Sequence, residues 1–113
     1  MKSMSYAALA AASVLSAMLS AGSPAAHAEL PAALALAQQQ NCMSCHSVTR
    51  PFMGPALHDV AAKYAGRKDA VTYLQHKILD GSTGVWGAVP MPANTQLTPD
   101  QAATLASWVM TLK

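Results

Sequence analysis

The sequence has 113 residues, a length typical of one domain; 52% of them are hydrophobic and only 11% are charged. The formal net charge of +2 is small, and there is neither a basic stripe nor an aromatic stacking platform, so a nucleic-acid-binding protein is excluded. A domain of this size buries a modest core, and such domains often depend on a disulfide, a metal or a cofactor for stability.

The first 28 residues have the order of segments found in a secretory signal peptide. Lys2 supplies a positive charge, residues 7–19 form an apolar run, and the Ala-His-Ala of residues 26–28 places small residues before a cleavage site. The apolar run is shorter than the roughly 20 residues of a membrane-spanning helix. We therefore expect cleavage after Ala28, a periplasmic location and a domain of residues 29–113 with no stable membrane insertion.

The remaining chain is predicted to be all-α, with about four helices and no convincing strand. The first helix runs from Leu30 to Gln40, with Pro31 in its first turn, where a missing N–H is tolerated. The second runs from Ala56 to Tyr64 and ends near Gly66.

Two further helices follow. Asp69 is predicted to cap the third, which ends at Gly81. Thr98 is predicted to cap the fourth, with Pro99 at its first position. Their buried faces are predicted from the apolar periodicity to be Val71, Leu74, Ile78 and Leu79 in the third helix, and Leu105, Trp108, Val109 and Leu112 in the fourth.

Between these two helices, residues 81–96 cannot form a helix, because the segment contains three glycines and two prolines. It is also too long to be an idle connection in so small a domain. We therefore expect this loop to be functional.

The segment Cys42-Met43-Ser44-Cys45-His46 is a C-x-x-C-H motif, the attachment signature of a c-type haem. On one helical turn, both thiols can reach the vinyl groups at a haem edge. The imidazole of His46 then points at the iron from the same side. The motif predicts one covalent haem c, held by Cys42 and Cys45 and ligated by His46.

Three other interpretations of the two cysteines are open. A thioredoxin-like redox pair belongs in a βαβ unit, which this sequence lacks. A zinc site would need Cys42, Cys45, His46 and a fourth ligand. A short-range disulfide is also possible in an oxidising compartment.

The methionines and histidines are the candidates for a second axial ligand of the iron. Met91 stands between Pro90 and Pro92 in the long loop, and the flanking prolines restrict the backbone around its thioether. We therefore predict Met91 as the second ligand of the iron. The rivals are Met43, Met53, Met110, His58 and His76.

The sequence resembles the small bacterial class I cytochromes c of the cytochrome c-551 type, also called cytochrome c8. The likeness covers nearly all of residues 30–113. It is carried by the C-x-x-C-H motif, by Met53-Gly54-Pro55, by Asp59-Val60-Ala61-Ala62-Lys63 with Gly66, by Gly84-Val85-Trp86-Gly87, by Pro90-Met91-Pro92 with Asn94, and by Leu105 and Trp108.

The resemblance implies the class I cytochrome c fold, with about four helices around one covalent haem and with His46 and Met91 as axial ligands. It also implies that the Pro55 carbonyl accepts a hydrogen bond from His46 and that Asn94 donates one to the Met91 sulfur. Trp86 would donate to a haem propionate, and Lys77 would be a basic partner of a propionate.

The sequence departs from the family at two places. Phe52 stands where such chains more often have an aliphatic residue, which leaves the fold unchanged. The segment after Asn94 is one residue longer, which affects where the last helix lies.

A six-coordinate iron has no position for a substrate, so the predicted function is a monomeric periplasmic electron carrier and not an enzyme. Redox partners meet such carriers through small, transient interfaces. The resemblance implies a cytochrome bc1-type donor and a nitrite reductase or cytochrome oxidase as acceptor. A five-coordinate haem peroxidase or gas sensor using His58 or His76, and a thiol–disulfide oxidoreductase using Cys42 and Cys45, are the alternatives.

Overall fold

A computed structural model describes residues 31–113. The predicted signal peptide, residues 1–28, and the predicted helix start at Leu30 lie outside the described residues. Within residues 31–113 there are four α-helices and no β-strand, as predicted, although one isolated antiparallel bridge joins Ser82 to Met91. In chain order the elements are α1 (Ala32–Gln39), a 3₁₀ turn (Cys42–Ser44), α2 (Leu57–Lys63), α3 (Ala70–Asp80) and α4 (Pro99–Thr111).

The first helix begins at Ala32, directly after Pro31, which was predicted to lie in its first turn. Pro31 occupies the N-cap position and its carbonyl oxygen accepts from Leu34 N at 2.9 Å and from Ala35 N at 3.1 Å. Asn41, beyond the other end of α1, is the one non-glycine residue of 31–113 with a positive φ, 61°. Asparagine tolerates this left-handed conformation, and the turn redirects the chain into the C-x-x-C-H segment.

The predicted buried stripe of α3 is wrong at one position. Val71 is 36% exposed, whereas Ala70 and Leu74 are buried and Ile78 packs against the core. Residues four apart lie on one face of a helix, so the stripe passes through positions 70, 74 and 78 and leaves position 71 at its side.

The predicted cap of α3 is also different from expectation. Asp69 occupies the N-cap position, but its side chain makes no capping hydrogen bond. Instead, its carboxylate accepts from the Arg67 guanidinium, which lowers the pKa of Asp69 and raises that of Arg67. A guanidinium is a stronger partner than a backbone amide, and it lies only two residues away. The helix ends at Gly81, as predicted.

The fourth helix begins as predicted, with a complete capping box. The Thr98 hydroxyl accepts from the backbone N–H of Gln101 at 3.1 Å, and the Gln101 side chain accepts from the backbone N–H of Thr98 at 3.0 Å. Pro99 takes the first helical position, so the longer segment after Asn94 does not displace the start of α4.

All three other helices pack against α4, and α3 does so most extensively. The predicted face of α4 is confirmed: Leu105 and Val109 are buried, and Trp108 and Leu112 pack against the buried clusters. Of the helices in residues 31–113, none combines the length and apolar character needed to cross a membrane.

The capping box yields a stability prediction. Thr98→Ala removes the hydroxyl that accepts from Gln101, so it should lower the free energy of unfolding by about 1 kcal/mol. Guanidinium denaturation of the purified protein measures this. Ser107→Ala, at an exposed position of the same helix, is the control and should change stability by less than about 0.5 kcal/mol. Equal effects of the two substitutions would show that the box contributes nothing.

A second prediction concerns alkaline pH. Tyr64 is 6% exposed, and burial, with a smaller contribution from Tyr73, raises its pKa from 10.0 to about 12. A raised pKa means that the neutral phenol contributes stability below pH 10 that is lost as the pH rises towards 12. Tyr64→Phe should therefore lose less of its unfolding free energy than the parent between pH 9.5 and 11.5. Parallel pH profiles of the two proteins would contradict this assignment.

Candidate functional site

A cavity lies between the segment after the 3₁₀ turn, the helices α2 and α3, and the loop of residues 81–96. Its volume is about 1110 Å³ counted out to its open mouth, and most of its lining side chains are apolar. We call it the central cavity. It brings together six of the eight predicted site residues: Cys45, His46, Pro55, Lys77, Trp86 and Met91. The other two, Cys42 and Asn94, lie outside its lining.

The C-x-x-C-H segment forms the tight turn that its spacing predicts. The Cys42 carbonyl oxygen accepts from Cys45 N at 3.2 Å and from His46 N at 3.0 Å. Both cysteine side chains are partly buried. Among residues 31–113, no group of three or more His, Cys, Asp or Glu side chains could hold a metal ion, so nothing there supports a zinc site.

The ring of His46 is held in one orientation. Its Nδ1 lies 2.8 Å from the Pro55 carbonyl oxygen, which can only accept, so Nδ1 donates and Nε2 is left with a free lone pair. Gly54 lies against the ring: a Cβ at this position would be 2.6 Å from His46 Cε1 and 2.9 Å from Nδ1. A side chain at position 54 would therefore displace the imidazole.

Met91 is held by a contact that the sequence does not reveal. Its backbone N donates to the Ser82 carbonyl at 2.8 Å, and Ser82 N donates to the Met91 carbonyl at 3.0 Å. Gly81 makes this pairing possible, because its φ is 82° and a Cβ there would lie 2.6 Å from the Met91 carbonyl oxygen. No local pattern predicts a pairing between residues nine positions apart in a glycine- and proline-rich loop.

Asn94 has different partners from those expected. Its side-chain amide donates to the Ile78 carbonyl at 3.0 Å and contacts the Pro92 carbonyl at 3.5 Å, and no hydrogen bond to the Met91 sulfur is present among the described residues. The Ile78 carbonyl lies in the last turn of α3, where helices leave acceptors unpaired. An amide oxygen is a stronger acceptor than a thioether, so Asn94 caps α3 and anchors the loop.

The remaining predicted side chains differ in exposure. Trp86 is 41% exposed and lies at the edge of the central cavity, whereas Lys77 is half-buried, with its ammonium 5.3 Å from the centre of the Tyr73 ring. Of the rival ligands, only Met53 lines the cavity, and it is 55% exposed. Neither His58 nor His76 is part of the lining.

The residues of the cavity fit a covalently attached haem. Its apolar lining suits a porphyrin, and Cys45 and His46 lie on its wall, with Cys42 on the same turn. Lys77 and Trp86 supply donors suited to carboxylates. A large apolar cavity with a few polar groups is the usual form of a cofactor site.

Comparison with known proteins agrees with this fit. The family model for cytochrome c matches residues 32–113. Cytochrome c-552 of Nitrosomonas europaea is 49% identical over 98 residues, covering 87% of this chain and 89% of that protein. Cytochrome c-551 of Ectopseudomonas mendocina is 54% identical over 78 residues, covering 69% of this chain and 94% of that protein.

The fold matches as well. The crystal structure of wild-type Nitrosomonas europaea cytochrome c552 superimposes with a TM-score of 0.69 at 51% identity, covering 71% of this chain and 99% of that one. These relatives confirm the predicted all-α class I cytochrome c fold. The chain belongs to the cytochrome c family: it is a small class I cytochrome c of the c-551 type, a haem-containing electron carrier with one covalently bound haem c.

Proposed function

We propose that this cytochrome is a periplasmic carrier of single electrons whose iron is ligated by His46 and Met91. The observation that carries the proposal is that these two residues line one cavity from two segments that are fixed independently. A hydrogen bond to Pro55 orients His46, and a backbone pairing with Ser82 holds Met91. When bound, the haem supplies a one-electron Fe(III)/Fe(II) couple.

The residues on the two sides have separate tasks. The Pro55 carbonyl accepts from His46 Nδ1, which leaves Nε2 as the atom that would ligate the iron. Met91 would contribute a soft thioether, which would favour the ferrous state and raise the reduction potential. We assign Trp86 and Lys77 as donors to the haem propionates, since both line the cavity and carry N–H groups.

If His46 and Met91 both ligated the iron, no position on it would remain for a substrate, which would favour electron transfer over catalysis. A peroxidase or gas sensor needs a free position on the iron and an acid–base group beside it. In the described part of the chain, no histidine other than His46 lines the cavity. The placement of His58 and His76 outside the cavity lining therefore does not support the peroxidase or gas-sensor alternative. We assign Cys42 and Cys45 to thioether bonds, because they stand on one turn directly before His46 and Cys45 lines the cavity.

The rim of the cavity suits brief contacts with other redox proteins. Val85, Trp86 and Val89 are exposed apolar side chains that line it. We propose that a monomer docks here through a small, transient interface. Its donor would be a cytochrome bc1-type membrane complex, and its acceptor a nitrite reductase or a cytochrome oxidase. Export would follow from cleavage of residues 1–28 after Ala28.

Met91→Ala tests the axial ligand. It should abolish the weak sulfur-to-iron charge-transfer band of the oxidised protein and allow the reduced protein to bind carbon monoxide. It should also lower the reduction potential by a substantial part of the roughly 0.8 V that axial ligands span. Absorption spectra and redox titration of the purified holoprotein measure these effects.

Met53→Ala is the matched control, because it removes the other methionine of the cavity lining. We expect it to leave the band and the potential nearly unchanged. Loss of the band in Met53→Ala but not in Met91→Ala would transfer the ligand role to Met53.

Gly54→Ala tests the support of His46, the other proposed ligand. The added methyl would meet the His46 ring at 2.6 Å, so the ring must move and its bond to Pro55 must lengthen. We expect a shifted NMR signal of the His46 Nδ1–H, a changed reduction potential and a lower free energy of unfolding.

Gly66→Ala is the control for backbone strain alone. Gly66 has a φ of 79° with no atom within 4 Å of an added Cβ, so alanine should cost about 1–2 kcal/mol of stability without moving the His46 signal. An unmoved His46 signal in Gly54→Ala would contradict the proposed contact.

A further inference from the structure

The end of α2 contacts the loop that carries Met91 through a cation and an aromatic ring. The ammonium nitrogen of Lys63 lies 5.2 Å from the centre of the Trp86 ring, within the range of a cation–π interaction. Lys63 is the last residue of α2, where the negative end of the helix dipole favours a positive charge. The contact therefore joins a fixed helix end to an exposed loop.

The loop itself does little to orient Trp86. Residues 83–90 make no backbone–backbone hydrogen bond in the part of the chain described by the structure. Gly84 and Gly87, on either side of Trp86, have φ values of 75° and 121°, conformations that glycine adopts without strain. The pairing of Ser82 with Met91 closes the base of the loop but not its tip. The direction of the indole thus depends on the side chains it meets.

Lys63 is available for this contact. The two ion pairs found within residues 31–113 involve other side chains, so no carboxylate oxygen of these residues lies within 4.0 Å of its ammonium. Arg67 and Lys77 are engaged elsewhere, at 4.0 Å and 5.3 Å from the centre of the Tyr73 ring. Lys63 is therefore the cation that the described residues place over the indole face.

The same helix also supports the opposite side of the cavity. Its first residue, Leu57, follows two positions after Pro55, whose carbonyl holds His46. Leu57 N donates to the Ser47 carbonyl at 2.9 Å, which ties the start of α2 to the haem-binding segment. The short helix α2 thus connects the side of the cavity that holds His46 with the side that holds the Trp86 indole.

We propose that Lys63 is a positioning residue of the redox site: its ammonium holds the Trp86 indole at the cavity edge and sets the direction of the indole N–H. The inference rests on the proposed function, in which that N–H donates to a haem propionate. Without Lys63 the indole would sample other orientations, and the propionate charge would be less well offset. Less offset of that negative charge stabilises the ferric state and lowers the reduction potential.

The experiment compares Lys63→Met, which removes the charge and keeps much of the length, with Lys63→Arg, which keeps a cation. In the reduced holoprotein, NMR measures hydrogen exchange of the Trp86 indole N–H. We expect exchange to be about two- to fivefold faster in Lys63→Met, the ratio that an exposed cation–π contact provides. Lys63→Arg should restore the parental rate. Unchanged exchange in Lys63→Met would overturn the proposal.

Lys68→Met separates positioning from charge. It removes one positive charge near α2 but lies over no aromatic ring in the described residues. We expect its reduction potential to shift only at low salt, because exposed charges are screened over about 10 Å at 0.1 M salt. The shift in Lys63→Met should persist at high salt. If the reduction potentials of both variants shifted equally and with the same salt dependence, Lys63 would act only as a surface charge, which would contradict the proposal.

A double-mutant cycle with Trp86→Phe completes the test. If Lys63 acts through the indole N–H, Lys63→Met should change the potential much less in the Trp86→Phe background than in the parent protein. Additive effects would contradict the proposal. Failure of the His46 and Met91 assignment would appear separately, as a parent protein without the sulfur-to-iron band, whatever Lys63→Met does.

Discussion

The hydrogen bond from His46 to the Pro55 carbonyl closes the segment on which the rest of the site depends. Around it, Gly54 N donates to the Cys45 carbonyl at 2.7 Å, and His58 N donates to the Val48 carbonyl at 3.0 Å. These bonds bind the end of the C-x-x-C-H turn to the start of α2. Because α2 packs against α4, the orientation of one imidazole is set by the framework of the whole domain.

The opposite side of the cavity is built with fewer constraints. The Met91 loop is held at its base by Ser82 and by the Asn94 amide on the last turn of α3. Its tip, with Trp86 between two glycines, relies on side-chain contacts. Such a loop can bring a thioether and an indole to a cofactor while keeping an apolar edge exposed. This arrangement suits a protein that exchanges electrons during short encounters.

The side chains that pack the helices together also line the cavity that we propose for haem c. Several residues both belong to the buried core and line the cavity: Leu57, Val60, Tyr64, Leu74 and Val109. Apolar burial against a porphyrin in this cavity and burial between the helices would therefore stabilise each other. This sharing is how a domain of this size can support a large apolar cavity, which helix packing alone would not sustain.

The sequence by itself determined whatever depends on neighbouring residues: the turn of Cys42 to His46, the ends of the helices at Thr98 and Gly81, and the four-helix content. Capping, turn formation and helical periodicity act within a few positions, so they can be read locally. The role of Pro55 could be predicted only from the family resemblance. The 2.8 Å contact between its carbonyl oxygen and His46 Nδ1 agrees with that prediction.

Only the tertiary structure decided the rest. It placed Ala70 instead of Val71 in the core, directed Asn94 to α3 and paired Ser82 with Met91. It also brought Lys63 to Trp86, which lies 23 positions further along the chain. These contacts depend on how α2, α3 and the loop pack together. Each of these contacts joins groups that are distant in sequence. Local propensity contains no information about which distant groups come into contact.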